Sequence, residues 1–348
     1  MPEEDWKALV GFGSKAVGTQ GHLAAENYIY QTMKGICAHT HRDEFLFEGW
    51  RSTGKSCLTM CEPYRQALDA YIFLGSGSGA FAGNLRKLGL NHVWNMYGWD
   101  RYAVFDGEQI VAYLSGRPEG ETLSQTLIEG NSALPHFIVG SRDNARLCKL
   151  LKEDVSVCVE GKASCETVAN MRGCNILVPF GVDKPDKKRV LVVAHYDTMY
   201  NTAGGYDNQA GVAVVMALAK GLSEQKPDRN ITFAFTDAEE CRLAGARHLA
   251  GMIDAEALDY VLNIDGVGRE DMLEVWCGPE AFEREIIRVM MKAMPLDKQC
   301  YRNPPPPGSD HAPFYERGVR CVMLTFNDQG IIHTPLDGLN DLVFETMK

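Results

Sequence analysis

The stretch RVLVVAHYD, residues 189–197, decides the fold of this chain. Its five consecutive apolar residues, 190–194, predict a central strand that is buried on both faces, as strands of parallel sheets are. Segments of helix and strand length then alternate: a helix over 210–222, a strand over 230–236, a helix over 243–252 and a strand over 260–264. This alternation predicts an α/β fold, a mostly parallel central sheet with helices on both faces.

Elements of the same kind continue the pattern on either side. We expect a helix over 21–35, a helix over 280–294, a strand over 319–326 and a C-terminal helix over the last ten residues. Four prolines, Pro304–Pro307, predict an extended, stiff loop before the last strand.

The middle of the chain has a different texture. After two short predicted strands, 44–47 and 56–60, the texture changes at about residue 64: short strands over 71–74, 109–114, 136–139 and 155–159 alternate there with Gly-rich turns. One helix is predicted over 141–152, with Ser141 as its N-cap. We interpret residues 64–160 as a smaller α+β or β-rich domain inserted into a larger, discontinuous domain, residues 1–63 and 161–348.

Composition excludes several classes of protein. Of 348 residues, 45% are hydrophobic and 23% charged, which is typical of a globular chain and not of a disordered one. The net charge of −11 argues against nucleic acid or an anionic membrane as a partner. The eleven cysteines include no C-x-x-C pair, and the start of the sequence is acidic and lacks signal-peptide character. No apolar run is long enough to span a bilayer. Together these features favour a reducing, cytoplasmic setting.

Polar side chains follow the predicted strands at the points where those strands end. They are His195 and Asp197, Asp207 just before the next helix, Glu239 and Glu240, Asp265, and His333 after the last strand. Because the carboxyl ends of parallel strands meet at one edge of a sheet, we expect two imidazoles and several carboxylates to converge there.

This set of residue types suits zinc. Imidazole nitrogen and carboxylate oxygen are both Zn²⁺ ligands, whereas carboxylates alone would suit Mg²⁺ or Mn²⁺ better. A pair of cations needs a bridging carboxylate, and catalysis needs a second carboxylate that acts as acid and base. Glu239 and Glu240 can supply one ligand and one base, and Asp197 is well placed to orient the ring of His195.

The ordered motifs resemble a known family. They are His195-Tyr196-Asp197, Asp207-Asn208-Gln209-Ala210-Gly211, Glu239-Glu240, Asn263-Ile264-Asp265, Ser309-Asp310-His311-Ala312-Pro313-Phe314 and Ile332-His333-Thr334, preceded by a GSKAVGT segment at 13–19. Together they resemble the co-catalytic zinc aminopeptidases of metallopeptidase family twenty-eight. The resemblance covers roughly the first 60 residues and everything after about residue 166.

The resemblance implies a zinc-exopeptidase fold with two Zn²⁺ ions per chain and a peptide substrate. It implies that one ion is held by His195, Asp207 and Asp265, and the other by Asp207, Glu240 and His333. Glu239 would be the general base and Asp197 would support His195, while Ser309, Asp310 and His311 would line the substrate pocket. Residues 64–160 resemble a protease-associated domain.

Alternatives stay open on the same metal site. The motifs do not decide between an aminopeptidase and a carboxypeptidase-type or other amide hydrolase, and glutaminyl cyclisation shares several of them. A non-catalytic binding protein is disfavoured because all the ligands and the base are present. A Ser-His-Asp triad is rejected, since Ser309, Asp310 and His311 are adjacent and no G-x-S-x-G elbow occurs. Homo-oligomers are compatible with the sequence.

Overall fold

The computed structural model describes residues 2–93, 97–181, 187–225, 227–269 and 272–339. The helices are α1 (Pro2–Gly11), α2 (Gln20–Ile36), α3 (Ser141–Lys152), α4 (Gly211–Ser223), α5 (Ala244–Met252), α6 (Glu280–Met290) and α7 (Ala312–Tyr315). The strands are β1 (His41–Ser52), β2 (Cys57–Glu62), β3 (Gln66–Leu68), β4 (Ala70–Ile72), β5 (Gly79–Val93), β6 (Tyr97–Asp106), β7 (Gln109–Gly116), β8 (His136–Val139), β9 (Cys158–Ala163), β10 (Cys165–Phe180), β11 (Arg189–His195), β12 (Asn230–Thr236), β13 (Leu258–Ile264), β14 (Leu273–Gly278), β15 (Gln299–Arg302) and β16 (Arg320–Thr325).

The chain divides into two compact units. The first comprises residues 1–47, 172–332 and 336–348, and the second comprises residues 48–171 with the short segment 333–335. The predicted limits of the insert, residues 64 and 160, fall inside the second unit. The compact unit is wider because β2 pairs with β9, so both strands belong to its sheet.

The sheet of the first unit has the order β1-β10-β12-β11-β13-β16-β14-β15. Its four central strands are parallel: β11 pairs in parallel with β12 and β13, and β13 with β16. Antiparallel pairs flank this centre, β10 with β12 on one side and β14 with β16 on the other. The predicted α/β fold with a mostly parallel central sheet is thus confirmed.

Both faces of this sheet are covered by helices, as the apolar run of β11 requires. Side chains alternate between the faces along a strand. Val190 and Val192 pack into one core with residues of α1, α2, α4 and α6. Leu191 and Val193 pack into a second core with residues of α5 and α7. The strand is therefore buried on both faces. Side chains at its carboxyl end lie at the edge of the sheet, beyond the two apolar cores.

The second unit contains a sheet of its own with the order β3-β2-β9-β5-β6-β7-β8-β4. Helix α3 has the predicted bounds, and Leu147 on its inner face is fully buried. Ser141 was expected to be the N-cap of this helix, which is wrong. Gly140 occupies that position, and no side chain caps the helix.

The other differences from prediction concern element boundaries and omissions. Helix α6 ends at Met290, four residues before the predicted end, and α1 and β10 were not predicted. The predicted C-terminal helix lies outside the described residues. Among the described residues, no helix is both long enough and apolar enough to cross a bilayer. All eleven cysteines are free.

Candidate metal centre

The structure places the predicted ligands at the ends of the central strands. His195 is the last residue of β11, and Asp265 directly follows β13. Asp207 lies in a kinked turn, Gly205–Ala210, immediately before α4, and its backbone there is not helical. Glu240 follows β12. All four residues are buried, so each charge must be matched by a partner.

A first group of donors consists of His195, Asp207 and Asp265, whose ligand atoms lie within 4.8 Å of one another. His195 Nε2 is 3.2 Å from Asp207 Oδ1 and 3.4 Å from Asp265 Oδ1. Within the described part of the chain this buried nitrogen makes no hydrogen bond. A ring nitrogen aimed between two carboxylates without bonding either one fits a cation, and the N/O donor set fits Zn²⁺.

A second group of donors consists of Asp207, Glu240 and His333, again within 4.8 Å of one another. Asp207 belongs to both groups, which is the arrangement a bridging carboxylate needs. Glu240 Oε1 also accepts a hydrogen bond from the backbone of Met199 at 3.2 Å. His333 is buried and has a positive φ of 60°.

Asp197 connects the histidine to the two glutamates. Its carboxylate accepts the backbone N–H groups of Glu239 at 3.0 Å and of Glu240 at 3.2 Å. His195 Nδ1 lies 3.2 Å from the main-chain oxygen of Asp197 and 3.5 Å from its Oδ1. Asp197 therefore fixes the backbone of the glutamate pair as well as lying beside the imidazole ring.

Glu239 is the partly buried member of the pair, and its side chain belongs to neither donor group. Burial raises the pKa of the Glu239 carboxyl well above its ordinary value, and the carboxylates of Glu240 and Asp310 add to the rise. For His195, burial by itself lowers the pKa. The negative charges of Glu239 and Asp265 outweigh that effect and raise the pKa of His195 well above its ordinary value. A bound cation would relieve this concentration of negative charge.

Comparison with known sequences now decides the family. The sequence model of peptidase family M28 matches residues 175–348, which is half of the chain. The chain belongs to peptidase family M28. The match contains every residue of both donor groups.

Curated relatives of this M28 chain include an aminopeptidase YwaD of Bacillus subtilis, 25% identical over 231 residues, which cover 60% of this chain and 50% of the relative. A vacuolar membrane protease of Schizosaccharomyces pombe is 32% identical over 103 residues, 30% of this chain and 12% of the relative. The chain thus spans half or less of the length of these relatives.

Solved structures share the fold over nearly the whole M28 chain. A crystal structure of BSAP, a zinc aminopeptidase from Bacillus subtilis, is similar with a TM-score of 0.77 at 18% identity, covering 99% of this chain and 91% of that one. A glutaminyl cyclase of Porphyromonas gingivalis has a TM-score of 0.56 at 14% identity, covering 99% and 92%. At such identities the likeness shows a common fold.

A buried pair that was not predicted lies next to the glutamates of the M28 chain. His22 Nε2 is 2.8 Å from Asp237 Oδ1, and both side chains are essentially unexposed. Asp237 also accepts the N–H groups of Cys174 and Ala238, each at 2.8 Å. The ring of His22 stacks on Tyr196, with 5.4 Å between the centroids. The pair therefore supports the segments on which both His195 and Glu239 are mounted.

Asn208 joins the loop of Asp207 to the end of β13. Its Nδ2 donates to the main-chain oxygen of Ile264 at 2.9 Å, and its Oδ1 accepts from the N–H of Gly266 at 3.3 Å. These two residues flank Asp265. Asn208 therefore sets the spacing between two carboxylates of the first donor group, a structural role that its sequence position did not reveal.

Ser309, Asp310 and His311, predicted to line the substrate pocket, are all fully buried. The Ser309 hydroxyl donates to Asp265 Oδ2 at 2.6 Å, so this residue contacts a candidate ligand. Asp310 accepts the hydroxyl of Thr236. Burial raises the pKa of Asp310 to about 7 and lowers that of His311 to about 4. A role of the three residues in substrate binding remains a prediction.

Proposed function

We propose that this chain is a zinc-dependent exopeptidase, an aminopeptidase that hydrolyses the N-terminal peptide bond of its substrate. One observation supports this more than any other. Two buried donor groups share Asp207, and Glu239, a carboxyl outside both groups, follows the same strand as the ligand Glu240. Family membership and the fold common to zinc aminopeptidases agree with it.

Two Zn²⁺ ions per chain form part of the proposal. One would be held by His195, Asp207 and Asp265, and the other by Asp207, Glu240 and His333. Bound there, zinc supplies Lewis acidity at the scissile carbonyl and lowers the pKa of a water molecule.

The protein's own residues transfer the proton. Glu239 takes a proton from the attacking water and delivers it to the nitrogen of the leaving amine. Its carboxyl lies outside both donor groups and is therefore available to hold a proton and release it. Asp197 holds Glu239 in place through the backbone bond described above.

Charge favours the amino end of a peptide. Asp197, Asp207, Glu239, Glu240 and Asp265 supply five carboxylates, and two divalent cations leave a formal charge of −1. Such a site attracts the ammonium group of an N-terminus and repels the carboxylate of a C-terminus. We therefore place the aminopeptidase ahead of the carboxypeptidase-type alternative.

Digestion of a mixed peptide pool by zinc-loaded protein, followed by mass spectrometry, tests the proposal. We expect stepwise loss of N-terminal residues by the wild type and none by Glu239→Ala. Elemental analysis should show the same zinc content in both proteins. Glu256→Ala, which truncates an exposed glutamate, is the matched control and should cleave like the wild type.

Other results would contradict the proposal. Near-native cleavage by Glu239→Ala would remove Glu239 from the role of base. Loss of C-terminal residues would instead establish a carboxypeptidase. Loss of ammonia from peptides that begin with Gln, without cleavage, would establish the second candidate, a glutaminyl cyclase on the same metal site, whose fold a solved cyclase shares.

We extend the proposal to the setting of the enzyme. The free cysteines agree with a reducing, cytoplasmic location. The net charge of −11 is the reason for expecting neither nucleic acid nor an anionic membrane as a partner. Fractionation of the source cells with an antibody tests the location. Light scattering of the purified protein would show whether it forms a homo-oligomer.

A further inference from the structure

A carboxylate outside both donor groups holds the backbone of the shared ligand. Asp337 Oδ1 accepts the N–H of Tyr206 at 2.5 Å, and its Oδ2 accepts the N–H of Asp207 at 3.0 Å. Asp337 is buried, with 2% of its surface exposed. Hydrogen bonds from backbone N–H groups to a buried carboxylate are charge-assisted and therefore stronger than neutral ones.

The main chain of Asp337 is itself tied to the same turn. Its carbonyl oxygen accepts the hydroxyl of Thr202 at 2.8 Å and the N–H of Gly205 at 3.4 Å. Asp337 thus bonds residues 202–207 through both its side chain and its backbone, although it lies 130 residues after Asp207 in the chain.

The N-terminal segment holds the opposite side of this turn. The indole N–H of Trp6 donates to the main-chain oxygen of Gly205 at 2.7 Å. The ammonium group of Lys15 donates to the oxygens of Ala203 at 2.9 Å and Gly13 at 2.6 Å. The turn needs these external partners because it is not helical: φ and ψ are −113° and 94° at Asp207 and −134° and 37° at Asn208. The N–H groups of Tyr206 and Asp207 are therefore bonded by Asp337, whereas Trp6 and Lys15 bond carbonyl oxygens of the same segment.

We propose that Asp337 is a positioning residue for Asp207, and that it controls the affinity and geometry of the metal site by fixing the backbone on which the shared carboxylate is mounted. Its carboxylate bonds the backbone N–H of Asp207 and not the Asp207 carboxylate, so it acts on the shared ligand through the main chain. The inference deepens the proposed function and rests on its metal site. Partners that orient metal ligands in this way typically contribute 10–100-fold to metal affinity.

Asp337→Asn is the variant of choice. It keeps the shape of the side chain but offers one acceptor oxygen to two N–H groups, so one of these buried groups loses its partner. We expect Co²⁺, used alone as the probe, to bind at least about tenfold more weakly in competition with a chelator. We also expect the visible absorption bands of bound Co²⁺, which report ligand geometry, to shift. A residue that served stability alone would leave this spectrum unchanged once the folded protein was saturated.

Asp143→Asn is the matched control. Asp143 is equally buried and accepts the backbone N–H of Asp69 at 3.0 Å, but it lies on α3 in the second unit. It should lower stability and leave the affinity and spectrum of Co²⁺ unchanged. If Asp337→Asn does not fold, Thr202→Val is the milder variant, since it removes the hydroxyl that donates to the main-chain oxygen of Asp337 and accepts the N–H of Gly204, and leaves the Asp337 carboxylate in place. Several-fold weaker Co²⁺ binding is then expected, and wild-type binding would overturn the proposal.

The outcomes separate this inference from the proposed function. Wild-type affinity and an unchanged spectrum in Asp337→Asn would overturn the inference, whatever the enzyme cleaves. A wild type that binds Co²⁺ but cleaves no peptide, with weakened binding in Asp337→Asn, would overturn the proposed function and support the inference. A wild type that binds no Co²⁺ would overturn both.

Discussion

Replacing Gly211 by alanine would place a methyl group at the point where two ligand-bearing loops meet. Gly211 is the first residue of α4 and has helical φ and ψ of −60° and −44°, so its backbone does not require glycine. Helix propensity alone predicts that alanine stabilises the chain there by about 1 kcal/mol. We expect the opposite result, because space is lacking.

The magnitude follows from the neighbours. A Cβ at position 211 would lie 2.8 Å from Cγ of Asn208, and closer still to Oδ1 of Asn208 and the main-chain oxygen of Ile264. Ordinary van der Waals contact begins at 3.4 Å, so Cγ of Asn208 must move by about 0.6 Å and the two oxygens by about 1 Å or more. Overpacking of this kind costs about 1–3 kcal/mol. After subtraction of the propensity gain of about 1 kcal/mol, the free energy of unfolding should fall by up to about 2 kcal/mol.

The same shift should weaken metal binding. Ile264 precedes Asp265, and Asn208 follows Asp207, so the displacement acts on two ligands of the first donor group. Metal–ligand distances tolerate only about 0.2 Å of change.

Urea unfolding of the metal-free protein and zinc competition with a chelator measure the two effects. Gly221→Ala is the matched control, because Gly221 lies in the same helix with no atom within 4 Å of its Cβ position, and alanine should stabilise there by about 0.5–1 kcal/mol. If Gly211→Ala proves as stable as Gly221→Ala and binds zinc like the wild type, the reasoning from close approach is refuted.

Two further predictions follow. His195→Ala removes the only nitrogen donor of the first donor group, so zinc content by elemental analysis should fall, and wild-type zinc content would contradict the ligand assignment. Lys15 is fully buried, and burial lowers its pKa from 10.5 to about 7. The unfolded chain therefore binds a proton that the folded chain releases, and stability should rise from pH 7 towards pH 10.5 by at most about 1.4 kcal/mol per pH unit. Denaturation of wild type and Lys15→Met at pH 7, 8 and 9 measures this difference, and parallel pH profiles would disprove it.

The central sheet could be predicted from the sequence because its signal is local. The run of five apolar residues in β11 predicts a strand that is covered on both faces. Strand β12 has the predicted bounds. Several elements were not predicted, β14 and β15 of this sheet among them, and two of these elements, β10 and α1, have mixed local signals. The first half of β10 is mainly exposed and polar, and α1 begins with three acidic residues although it buries Trp6 and Leu9.

The candidate ligands were found for a similar reason, since each follows a predicted strand. Asp197, two residues from His195, was predicted as a support for that ring, but supporting hydrogen bonds between distant parts of the chain could not be found in this way. Asp337 meets Asp207 across 130 positions, and Ser309 meets Asp265 across 44. Hydrogen bonds over such separations arise from the tertiary fold and leave no periodic pattern in the sequence. The sequence also does not indicate the non-helical backbone at Asp207, which makes this turn depend on acceptors outside it.

The position of Asp197 has a consequence for how variants of this site combine. One carboxylate bonds the backbones of Glu239 and Glu240 and lies beside His195, so the three residues form a single energetic unit. Residues that share a partner show coupling in double-mutant cycles rather than additive effects. Adding Glu239→Ala to Asp197→Ala should therefore lower activity little beyond the first substitution, as is typical of residues that act together.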